Sequence, residues 1–133
     1  MTKNKNIKAK TTGLIEPYGM TLWVVIADDI NKARRDMNCV FGCKWEDEAL
    51  ALCSWGRGNY GLFYPNRFTS HAEIAHEVFH LAHRLMQERG EEFSNDHHEP
   101  FAYLIGWLTE QVYETFRKAR LRILPRRYWL SKP

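Results

Sequence analysis

Five consecutive residues, His76-Glu77-Val78-Phe79-His80, carry the densest chemistry in the chain. Imidazoles four residues apart stand one turn apart on the same side of an α-helix, the spacing at which two neutral ring nitrogens grip one zinc ion. The carboxylate between them is then placed to take a proton from water bound to that ion. All six histidines of the 133 residues fall between Ser70 and Tyr103, around this motif.

A catalytic zinc takes a third protein ligand and keeps one position for water. Glu99 is the first candidate, separated from His80 by residues 81–98. A carboxylate in the first turn of a helix is also a favourable partner of the helix dipole, so both roles are open at this position. His97 and His98 are the alternative third ligands. Asp96 is placed to cap a second helix, whose apolar stripe is Phe101, Leu104, Ile105, Leu108, Val112 and Phe116. Glu99, Tyr103, Gly106 and Glu110 stack on its opposite side, where Gly106 would admit a neighbouring backbone. Tyr103 reads either as a donor to a developing oxyanion, or to Glu99, or as a packed aromatic. His83 lies one further turn along the first helix, suited to contact with a ligand or substrate.

The helix that must hold the motif has its own signals. Ser70 followed by Glu73 has the form of a capping box. Ala75, Val78, Phe79, Ala82, Leu85 and Met86 recur at helical spacing as one apolar face, and Gly90 is a natural stop. At about 100° per residue, His76, His80 and His83 share a flank about 130° from the centre of that face.

The motif with Glu99 at this distance resembles the gluzincin branch of zinc metallopeptidases, in which H-E-x-x-H is followed by a Glu on the next helix. The chain is also similar to short phage- or prophage-type H-E-x-x-H proteins, whose second helix opens as Glu99-Pro100-Phe101-Ala102-Tyr103-Leu104 does. The resemblance covers about residues 60–116. It implies a minimal zincin-like α+β domain, one Zn2+ held by His76, His80 and Glu99, Glu77 as general base, and a peptide or protein substrate. It also implies a strand beside the active helix that binds extended substrate by strand addition, placed at residues 60–64. The chain departs from the family in lacking a Gly-x-Met-Glu-Asn signature, and no third His follows in metzincin form. Exopeptidase activity is therefore not carried over.

The remaining elements read as support. Thr21-Leu22-Trp23-Val24-Val25-Ile26-Ala27 is a buried strand, and Asp28-Asp29 open a helix from Ile30 to about Asn38 with Arg34 and Arg35 exposed. Leu50–Trp55 and Tyr60–Tyr64 are two strands joined by Gly56-Arg57-Gly58-Asn59. The order predicts an α+β fold with a small, partly antiparallel sheet packed on the helix of the motif and a second, ligand-bearing helix. Cys39, Cys43 and Cys53 form an odd set, which suits buried free thiols in a reducing compartment better than a disulfide framework.

One domain, residues 13–120, is expected between two basic ends. Residues 1–12 carry four lysines and no acid, and read as a flexible or edge-lying tail. Residues 121–133 continue a basic, aromatic run that begins at Arg117 and includes Arg120, Arg122, Arg126, Arg127, Tyr128 and Trp129. Such a tail contacts nucleic acid, an acidic partner or a membrane surface, or else is a solvated face or packs its apolar members on the body. With no apolar run of membrane length and no secretory signal, a soluble cytoplasmic protein is expected. A zinc-dependent peptidase is the first functional expectation, completed by a partner protein or self-association where the small domain lacks pockets. The other is a non-catalytic, zinc-stabilised regulatory or DNA-associated module that uses the Arg-rich tail.

Overall fold

The structure is a computed structural model that describes residues 5–15, 19–42, 52–67, 69–90 and 98–124. In chain order these form β1 (Ile7–Ile15), β2 (Met20–Ala27), α1 (Ile30–Asp36), α2 (Asn38–Phe41), β3 (Leu52–Gly56), β4 (Asn59–Pro65), α3 (His71–Glu88) and α4 (Glu99–Lys118). The sheet order is β1-β2-β4-β3. Strand β2 is antiparallel to β1 and parallel to β4, and β4 is antiparallel to β3. The fold is α+β with a four-stranded mixed sheet.

The continuous apolar run of β2 has the composition of a strand covered on both faces. Leu22, Val24 and Ile26 pack with Tyr60, Leu62 and Tyr64 of β4 against α3 and α4. Val25, Ala27 and Phe63 face the other way, onto Ile30, Ala33, Met37 and Phe41 of α1, its C-cap and α2. The sheet is therefore the middle of three layers.

This corrects the expectation for residues 60–64. Strand β4 lies between β2 and β3 and is no edge; the edge on that side is β3. Its apolar side chains on both faces, and Gly61 beneath Phe41, are the marks of a central strand: a Cβ on Gly61 would stand 2.6 Å from the Phe41 ring. The β3–β4 connection is the two-residue turn Arg57-Gly58, both with positive φ (52° and 74°), as a hairpin turn matching strand twist requires.

Residues 7–12, read as a flexible or edge-lying tail, are the first part of β1 at the sheet edge. Arg34 is not exposed: it sits on the buried side of α1, four residues after Ile30, donating from Nε to Ser54 Oγ at 2.6 Å with its guanidinium 4.8 Å from the Phe41 ring centre. Arg35 is exposed. At the C-terminal end, Leu124 N–H donates to the Thr69 carbonyl at 2.7 Å, and Leu121 and Ile123 pack on the core. The described part of the tail thus folds back beside the start of α3. Asp96, His97, Cys43 and residues 125–133 lie outside the described residues.

Candidate metal centre

Helix α3 begins where its capping signal places it, with Ser70 Oγ accepting from the Glu73 N–H at 3.2 Å. It ends at Glu88, before Gly90 with φ 73°. Its buried residues are Ile74, Glu77, Val78, Leu81, Ala82, Leu85 and Met86. Ala75 and Phe79, expected on the apolar face, are exposed. Ile74 and Leu81 take those places and swing the face by about 40°, so the histidines stand almost diametrically opposite it. Glu77 falls at the border between the two sides.

His76 and His80 converge, with Nε2 atoms 2.9 Å apart and ring centres 4.6 Å apart. That separation suits a shared proton. Zinc–nitrogen bonds of about 2.0–2.1 Å at a tetrahedral angle separate two nitrogens by roughly 3.4 Å. A half-ångström opening of two exposed side chains makes the difference, so the donor pair fits the ion. Burial, together with the neighbouring His76 and His83, lowers the His80 pKa and favours the neutral ring that ligation needs.

The Glu77 carboxylate lies 3.8 Å from His76 Nε2. It also accepts from the backbone N–H of Cys53 in β3. Its pKa is raised, chiefly by burial and further by Glu73, against the opposing pull of His76 and the Cys53 N–H. A buried carboxylate beside the imidazole pair, tied to a sheet edge and with its pKa raised, is equipped to accept and release a proton.

The other candidates stand further out. Phe79 is 48% exposed, stacks against His83 with parallel rings at 6.1 Å, and meets Phe101 edge-on at 5.5 Å. Phe101 is two residues after Glu99, so this contact lays the start of α4 against the histidine-bearing turn of α3. Glu99 itself is exposed, with its Oε1 3.8 Å from His98 Nδ1. Among the described residues no three or more His, Cys, Asp or Glu side chains gather closely enough to hold an ion. The histidine pair is thus brought together, and Glu99 is not brought to it. Tyr103 is 76% exposed on the outer side of α4. Among the described residues a Cβ on Gly106 would meet nothing within 4 Å, so no described backbone makes the close approach expected there. His71, at the start of α3, stacks on Tyr113 and hydrogen-bonds its hydroxyl through Nδ1, away from the motif's pair.

Three features of the site had only faint sequence signals. The Glu77–Cys53 link depends on which strand is the edge, which no local pattern reports. Tyr60 donates to Glu88, and Arg84 both pairs with Glu88 at 3.1 Å and lies 4.8 Å from the Trp55 ring centre. These contacts tie the last turns of α3 to the β3–β4 hairpin. The i, i+4 spacing of Arg84 and Glu88 was the one readable part.

No helix among the described residues is long and apolar enough to cross a membrane. No protein-family model, curated protein or solved structure matches the chain.

Proposed function

We propose that the chain is a zinc-dependent peptidase. The observation that carries this reading is the convergence of the His76 and His80 Nε2 atoms to 2.9 Å beside the buried Glu77 carboxylate. His76 and His80 would hold the ion, and Glu99, which stands exposed and apart from the pair, would complete the set only if the first turn of α4 closed toward α3. An ion held there would supply Lewis-acid chemistry, polarising a carbonyl and making a water molecule easier to deprotonate. Glu77 would take one proton from the attacking water as its oxygen bonds to the carbonyl carbon and deliver that proton to the amine nitrogen as the C–N bond breaks, and its raised pKa suits both transfers. Strand β3, the edge nearest Glu77, offers an extended peptide the outward main-chain groups other than the Cys53 N–H that Glu77 already holds. Tyr103, exposed on the outer side of α4, is left without a role in this reading.

The test is metal content by elemental analysis beside hydrolysis of a fluorogenic peptide library. The parent is expected to carry one zinc per chain, His76→Ala and His80→Ala to lose it, and Glu99→Ala to bind it about 10–100-fold more weakly or not at all. Glu77→Gln is expected to keep the metal and lose a factor of about 10²–10⁴ in turnover. Zinc bound with no hydrolysis that Glu77→Gln removes would favour the non-catalytic module. Absence of zinc after purification in its presence would sink both.

A further inference from the structure

The unpartnered feature with the most definite geometry is the outer edge of β1. Two hydrogen bonds fix how the sheet's main-chain groups point: Thr21 N–H donates to the Gly58 carbonyl and Asn66 N–H to the Ala27 carbonyl. Odd-numbered residues of β2 therefore face β4, and Leu22, Val24 and Ile26 face β1. Their partners Gly13, Thr11 and Ala9 face inward. It follows that Lys10, Thr12 and Leu14 aim their N–H and C=O groups away from the sheet. Among the described residues no strand pairs with that edge.

Long open edges invite pairing, and proteins usually guard them with outward lysines, prolines or bulges. Here the guards are few. Lys10 is turned back over the Trp23 ring at 5.8 Å, and Lys8 pairs with Asp28 at 3.2 Å. The only register shift lies between Ile7 and Ala9, before the regular run of residues 9–15, and that run contains no proline. Leu14 stands 53% exposed on it.

We infer that β1 pairs antiparallel with β1 of a second copy, about a two-fold axis through Thr12. The run is self-complementary in this register. Thr12 faces Thr12 of the other copy, a favourable cross-strand pair. Lys10 faces Leu14, whose exposed side chain the lysine stem covers. On the helix side Thr11 faces Gly13 and Ala9 faces Ile15, and no like charges meet. The two sheets become one of eight strands, with α3 and α4 of both copies on the same side. Each β3 edge, and with it each histidine pair, lies at a far end of the dimer and stays open. The inference is independent of the peptidase reading.

Sedimentation velocity of the full chain tests it. The parent is expected to form a dimer whose population grows with concentration. Thr12→Pro removes only an outward N–H and is expected to weaken the dimer by about tenfold or more while leaving the ladder to β2 intact. Thr12→Lys and Thr12→Glu each place like charges at the axis and are expected to be monomers, whereas their equimolar mixture re-forms a dimer. Unchanged circular dichroism in each variant separates lost pairing from lost folding. A parent that stays monomeric at every concentration, or a dimer indifferent to the Lys and Glu substitutions, overturns the inference.

Discussion

Glu77 pays a local cost for its position. Its pKa in the folded chain lies above the unfolded value, so its protonated form contributes stability that is present at acid pH and lost as pH rises through the folded value. At neutral pH the ionised side chain therefore strains the metal-free fold. Glu77→Gln is expected to raise the melting temperature of the metal-free protein at pH 7 by roughly 2–4 °C, a gain that vanishes near pH 4. Thermal unfolding across that range reads it. Cys53 is a second residue governed by burial, which pushes its thiol up to about 12, with the Glu77 charge adding to the effect. Because the thiolate is the reactive form, iodoacetamide at pH 9 is expected to modify exposed Cys39 well before Cys53, and mass mapping of the adducts distinguishes them. The same raised pKa means that stability from the neutral Cys53 thiol is lost as pH climbs from 9 toward 12.

At the scale of elements, what was readable in the sequence was what local geometry determines. The meeting of His76 with His80 follows from four-residue spacing on any helix, and the Ser70 cap and Gly90 stop follow from backbone groups within one turn. Periodicity alone puts Phe79 in the apolar face of α3 and so turns that face by about 40°; only the packing of α4, through Phe101, shows that its ring serves the histidine flank instead. The place of Glu99 depends on how α4 approaches α3, through a connection that includes residues 91–97, outside the described ones. The central position of β4 was hidden for a related reason: pairing between β2 and β4 spans residues 28–58, and no short pattern encodes it. Arg34 was misread because charge outweighed its place in the apolar stripe of α1. Its Nε–H donates to Ser54 Oγ, so Ser54→Ala withdraws that acceptor from a buried cation. The expected cost is about 1–3 kcal/mol, measurable by urea unfolding.

The whole molecule is a sheet between unequal helical layers. The thin layer, α1 and α2, covers Phe63 and Val25; the thick one, α3 and α4, carries the chemistry. The chain then returns to secure that layer, since Leu124 N–H donates to the Thr69 carbonyl immediately before the α3 cap. Leu124→Pro removes the donor and is expected to cost about 1 kcal/mol by chemical denaturation. If the basic tail instead serves nucleic acid, DNA binding must fall steeply with salt and disappear on deleting residues 117–133. Salt-insensitive or absent binding leaves residues 121–124 as a clasp.

The parallel pairing of β2 with β4 also sets an order of events on the ribosome. The β1–β2 hairpin can close as soon as it emerges, but Leu22, Val24 and Ile26 lack their β4 neighbours until residues 59–65 have been made, and stay uncovered until α3 and α4 follow. Non-local pairing of this kind is slow, and an exposed β-branched strand is prone to join others while it waits. The nascent chain therefore passes through a window in which its most apolar segment lacks its central neighbour.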